Sequence, residues 1–191
     1  MCRKDQIKQQ SKGGDEKIFL IKAGAGPFWV YFEANASATL EKIDDFLRNL
    51  WLECCGHLSA FRISGISYAS GGMEDSDDES MDIALGKVLS PRTAFSHEYD
   101  FGTTTALGLN CLSERAGEKL KKIQIVARND LPNFKCKCSK QAKDVCSQCV
   151  FEAGEGALLC RQCAKKHKCG EEMLLPVVNS PRMGMCGYTG E

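Results

Sequence analysis

Eight of the chain's twelve cysteines fall between residues 136 and 186, and this concentration constrains the fold more than any other feature. They are spaced as Cys136-x-Cys138, Cys146-x-x-Cys149 and Cys160-x-x-Cys163, followed by His167-x-Cys169 and a later Cys186. A tetrahedral zinc site needs thiolate or imidazole donors, and a tight turn carrying two of them brings both to one ion. The four pairs supply eight donors, which predicts two four-coordinate zinc ions. Cys186 is a ninth candidate, able to take the place of His167 or Cys169 in the second site; the spacing leaves that choice open.

Four pairs in a row can combine consecutively or interleaved. A segment of about 55 residues with little apolar content cannot build an adequate core, so metal must link its distant parts. Interleaving does this, with Cys136, Cys138, Cys160 and Cys163 on one ion and Cys146, Cys149, His167 and Cys169 on the other. Residues 129–191 are therefore expected to form a small two-zinc, cysteine-rich module. No catalytic residue is assigned to it. A catalytic zinc keeps a position open to water, and neither a His-Glu-x-x-His helix nor the deaminase pattern occurs in this chain.

The reading depends on reduced thiols. No run of about 18–20 apolar residues is present, and Met1-Cys2-Arg3-Lys4-Asp5-Gln6 has no apolar signal core behind it, so a cytoplasmic protein without a membrane anchor is expected. In that compartment clustered cysteines point to metal rather than to disulfides. Twenty-five basic residues balance twenty-five acidic ones, so no global positive field advertises nucleic acid. Lys135, Lys137, Lys140, Lys143, Arg161, Lys165, Lys166 and Lys168 make the module locally basic. They suit phosphate contact or, equally, the neutralisation of metal-bound thiolates.

Ahead of the module, residues 1–16 are polar and predict a mobile tail, and residues 17–128 predict an α+β domain. Lys17–Ala23 and Pro27–Ala34 read as strands around Gly24-Ala25-Gly26. Leu40, Ile43, Phe46, Leu47, Leu50, Trp51 and Cys54 fall at helical spacing, with Ser37 or Thr39 as cap and Gly56 as terminator. Leu58–Ile63 and Ile66–Ala69 predict a second hairpin. Residues 70–82 predict an exposed acidic loop and Ile83–Leu89 a short helix. Ala94–Phe101, Thr103–Leu112 and Leu120–Ala127 predict three more strands. The order makes a mostly antiparallel sheet carrying one main helix.

Outside the module, Cys54-Cys55 with His57 has the residue types of a nucleophile and base, but no orienting acid is evident, and buried thiols at a helix end are expected instead. His97-Glu98-Tyr99-Asp100 is read as sheet surface. The tail Val178–Gly190, rich in turn formers, is expected to fold back onto the zinc module, pinned by Cys186.

The helix from Thr39-Leu40-Glu41-Lys42-Ile43 through Trp51, the strand His57–Ile63 and above all Tyr99-Asp100-Phe101-Gly102 resemble the Ri-plasmid ORF-three-like family, whose members carry labels such as insertion-element passenger or resolvase-like protein. The resemblance covers roughly residues 17–128. It implies a compact α+β sheet domain of prokaryotic origin, with the cysteine tail similar to an extension found in some members. Family members commonly follow the Tyr-Asp-Phe-Gly segment with an acidic residue and tryptophan, whereas Thr103-Thr104-Thr105 stand here. No serine-recombinase motif accompanies the resolvase label.

The expectation is a non-enzymatic zinc protein whose module contacts another protein. Nucleic-acid binding associated with mobile elements is the alternative. An enzyme, if any, would have its site near Tyr99-Asp100.

Overall fold

The computed structural model of the protein describes residues 14–71, 77–152 and 156–190. The mobile tail expected for residues 1–16 lies outside the described residues up to residue 13, as do residues 72–76 of the acidic loop.

Alternating apolar residues build an eight-stranded sheet: β1 (Glu16–Ala25), β2 (Phe28–Asn35), β3 (Ser59–Ile63), β4 (Ile66–Ala69), β5 (Glu79–Ser80), β6 (Ala94–Tyr99), β7 (Thr105–Gly117) and β8 (Gln124–Arg128). The spatial order is β5-β4-β3-β6-β7-β1-β2-β8. Every neighbouring pair is antiparallel except the two-residue contact of β4 with β5. Gly26, at φ 54°, opens the two-residue turn that pairs Ala25 with Phe28. A positive φ at that position matches the strand twist and suits glycine.

The predicted helix forms as α1 (Leu40–Leu47), and a second, four-residue helix is α2 (Leu85–Val88). Leu40, Ile43, Leu47 and Trp51 are fully buried with Phe19, Ile21, Val30, Phe32, Phe61, Leu107 and Leu109 in one core. Each such side chain contributes about 1.5–3 kcal/mol of transfer free energy. The α+β expectation is met.

Three local expectations need correction. The helix does not run to Gly56: from Arg48 to Leu52 it widens into a π-helical turn, with the Glu53 amide bonded to the Arg48 carbonyl, and it ends at Leu52. Residues 53–58 thus leave as a loop that carries Cys54, Cys55 and His57. Second, His97 and Tyr99 are not surface residues; both are fully buried. β6 lies between β3 and β7, and its Phe95, His97 and Tyr99 share the face that α1 covers. His97 Nε2 meets Asp44 Oδ1 of α1 at 2.6 Å. Third, the last segment does not simply fold onto the module, as described below.

The module holds β9 (Asp144–Cys146), α3 (Ser147–Glu152), β10 (Leu158–Leu159), α4 (Arg161–Ala164) and β11 (Leu174–Pro176), the strands ordered β10-β9-β11. Its own core is small: Cys146, Leu159 and Ala164, with Cys149, Cys163, Cys169, Met173 and Leu174 partly buried against them. The joint to the sheet is packed. Phe134 stacks at 6.0 Å on Phe28, and the Asn129 side chain accepts from the Trp29 amide and donates to Asn179 Oδ1, each at 2.7 Å.

Candidate metal centres

Each candidate pair rides on a local turn. Cys136 opens, and Cys138 sits within, the tight turn closed by the Ser139 amide on the Cys136 carbonyl. Cys146 ends β9 and Cys149 sits in α3; Cys160 precedes α4 and Cys163 sits within it.

The structure brings Cys136, Cys138, Cys160 and Cys163 together, and separately Cys146, Cys149, His167 and Cys169, with the donor atoms of each group within 4.8 Å of one another. This is the interleaved arrangement. Donors about 2.3 Å from one ion at tetrahedral corners lie about 3.8 Å apart, whereas a disulfide bond is about 2.0 Å long. The observed edges are 3.6 Å from Cys138 to Cys160, 3.7 Å from Cys138 to Cys163, 3.8 Å from Cys149 to Cys169 and 3.4 Å from Cys149 to His167 Nε2. Both groups can hold a metal ion, and their soft donors and spacing fit zinc.

The thiols perturb each other strongly. Amides of Cys138 and Cys160 bring Cys136 down to about 6, while the thiols of Cys136, Cys138 and Cys160 push Cys163 up to about 12. In the second group burial and the thiols of Cys146 and Cys169 push Cys149 up to about 12. Burial raises Cys146, but the Cys149 amide and His167 outweigh it and bring that thiol down to about 7. Four sulfurs packed this closely cannot all ionise unless a cation sits among them.

Cys186 belongs to neither group; of the candidates for the second site, His167 and Cys169 are the two brought to Cys146 and Cys149. The Cys186 sulfur lies 3.6 Å from Cys55 Sγ and 3.4 Å from His57 Nε2, and Cys54, Cys55, His57 and Cys186 form a third group within 4.8 Å. Nor are Cys54 and Cys55 buried thiols: Cys54 is half-buried and Cys55 exposed. The π-helical turn releases the chain before these residues instead of carrying them into the core. An unpaired ninth donor and a Cys-Cys-x-His run were the signals in the sequence.

The segment Val178–Gly190 threads between the two parts. Gly184 faces Val145 and Val150 of the module so closely that a Cβ would fall 2.9 Å from Val150. Ser180 Oγ donates to the Trp51 carbonyl at 2.6 Å, and Arg182, fully buried, reaches Thr103, Thr105, Cys54 and Asp100 in the sheet domain.

Tyr99 and Asp100, where an enzyme site was to be looked for, both anchor neighbouring segments. The Tyr99 hydroxyl accepts from the amides of Cys54 and His57 and donates to Glu53 Oε1. Asp100, at φ 63°, accepts from the Gly102 and Thr103 amides through Oδ1 and from Arg182 through Oδ2. A separate cavity of about 490 Å³ is lined by carboxylates including Glu41, Asp44, Asp45 and Asp82. Among the described residues no helix is long and apolar enough to cross a membrane.

No family model matches the chain, and no curated protein matches it. Among solved structures it is similar to a Methanosarcina mazei protein of unknown function at 16% identity and a TM-score of 0.51, over 59% of this chain and 69% of that one. That likeness is one of fold.

Proposed function

We propose that this is a non-enzymatic zinc protein in which two structural ions hold residues 129–191 as a platform for another protein. Closed sets of four protein donors support structural rather than catalytic zinc, since no position is left for water or substrate. Membership of the sheet domain in the Ri-plasmid ORF-three-like family is part of the proposal, supported by the Tyr99–Gly102 segment.

The observation that carries protein contact is Phe151, at the end of α3 and two residues from Cys149, with 62% of its surface exposed. A large aromatic held in solvent on a rigid metal-braced helix is the kind of anchor that protein interfaces use. The nucleic-acid reading has the module's lysines in its favour, all of them exposed.

A photocrosslinking amino acid at position 151 tests the choice. Discrete protein adducts that disappear when the probe is moved to Lys168 are expected. Adducts to RNA or DNA, together with binding to mixed-sequence nucleic acid that falls steeply with salt, would overturn the protein-contact reading.

A further inference from the structure

We propose that Cys54, Cys55, His57 and Cys186 bind a third zinc ion, which latches the C-terminal segment onto the sheet domain. This goes beyond the two ions of the module and depends on none of their ligands.

The donors converge as a metal site requires. His57 Nε2 lies 3.0 Å from Cys55 Sγ and 3.4 Å from Cys186 Sγ, and Cys54 Sγ is 3.7 Å from Cys55 Sγ. The 3.4 and 3.7 Å edges match those of the two module groups and of a tetrahedral ion, and the 3.0 Å edge is shorter. A nucleophile with its base would show one sulfur addressing the imidazole; here two sulfurs meet the same nitrogen. A store of buried thiols does not fit either, because Cys55 and Cys186 are exposed.

The surroundings are built to hold these side chains. The Tyr99 hydroxyl gathers the amides at both ends of the Cys54–His57 loop. Three thiolates and an imidazole on a divalent ion leave one net negative charge. The fully buried Arg182 guanidinium, ion-paired with Asp100, also stands 3.5 Å from Cys54 Sγ and can donate a hydrogen bond to that sulfur. Cys186 itself has φ 46°, a left-handed conformation that a non-glycine residue keeps only where its surroundings fix it. That turn aims its sulfur back at a loop 131 residues away in sequence. The ion would therefore close a very long loop, joining the segment that lies against Val145 and Val150 to the end of the main helix.

Native mass spectrometry of the full-length protein, purified without added metal, tests the proposal on wild type, Cys55→Ser and Cys186→Ser. Three zinc ions in the wild type and two in each variant are expected. Two ions in all three proteins would overturn the third centre and leave the module reading intact. One ion in the wild type, lost in both variants, would support the third centre and sink the module reading. Three ions retained in both variants would overturn the ligand assignment. A wild type lighter by two hydrogens, with Cys55 joined to Cys186 and no third ion, would overturn it in favour of a disulfide. The latch is read by hydrogen exchange: the amides of Met185 and Tyr188, which close turns on Arg182 and Met185, should exchange faster in Cys55→Ser while β1 and β7 are unchanged. Equal exchange in wild type and variant would overturn the latch.

Discussion

Arg182 donates to the Asp100 carboxylate at 2.5 Å from a position with no solvent exposure, and its guanidinium lies over the Tyr99 ring at 4.9 Å. The arginine belongs to the C-terminal segment and the aspartate to the β6–β7 turn, so the pair fastens one end of the chain to the middle of the sheet. The arginine holds the Asp100 carboxyl below its ordinary range. Arg182→Ala leaves that carboxylate without its partner and should cost about 3–5 kcal/mol in urea unfolding. Asp100→Asn should cost less than Asp100→Ala, because asparagine tolerates the left-handed backbone and still accepts from the Gly102 and Thr103 amides. Equal costs would show that charge alone matters there.

Tyr99→Phe removes the hydroxyl shared by the amides of Cys54 and His57. A stability loss of about 1 kcal/mol is expected. Because that hydroxyl positions the third group, zinc affinity there should fall about 10–100-fold, measured by competition with a chromophoric chelator. Module affinities unchanged and third-site affinity unchanged would mean the loop keeps its shape without the tyrosine.

Asp44 and His97 form a buried pair beneath the main helix. Burial raises the Asp44 carboxyl, but the hydrogen bond and charge of His97, with help from Ser59 and Arg48, outweigh it and leave the group below its ordinary 3.8. A depressed carboxylate contributes stability above its unfolded value, and that contribution is lost as pH falls through the folded value. Asp44→Asn should therefore cost about 2 kcal/mol near neutrality. The gap between wild type and variant should narrow only below about pH 4. Following the difference between the two proteins removes the effect of acid on metal binding, which both share. A gap that closed between pH 7 and 5 would contradict the assignment.

Metal removal should separate the two parts of the molecule. The sheet domain has a broad core from Phe19 to Cys111, whereas the buried hydrophobic cluster of the module, among the described residues, is Cys146, Leu159 and Ala164. Structural zinc binding contributes on the order of 10 kcal/mol per site, which in such a module is its folding free energy. Chelator followed by brief proteolysis should cut within residues 130–176 and spare β1 to β8. Protection of the module in the absence of metal would show that its packing suffices.

The donor pairs of the module were legible in the sequence because their spacing is local: two cysteines on one tight turn reach one ion wherever the turn sits. The sheet and its main helix were legible for a similar reason, since periods of two and of three to four residues record which face is buried. The short core of the module also argued for interleaving, because only metal could join its distant turns. What lay beyond reach depended on neighbours remote in the chain. Alternation along Ala94–Tyr99 marked a strand but not that it runs inside the sheet under the main helix, which buries His97 and Tyr99. The π-helical turn after Leu47, which sends Cys54 and Cys55 out into a loop, has no periodic signature. Most of all, Cys186 meets Cys55 and His57 only because Arg182 and Ser180 seat the C-terminal segment on the sheet domain, and that juxtaposition across 131 residues is a product of tertiary packing alone.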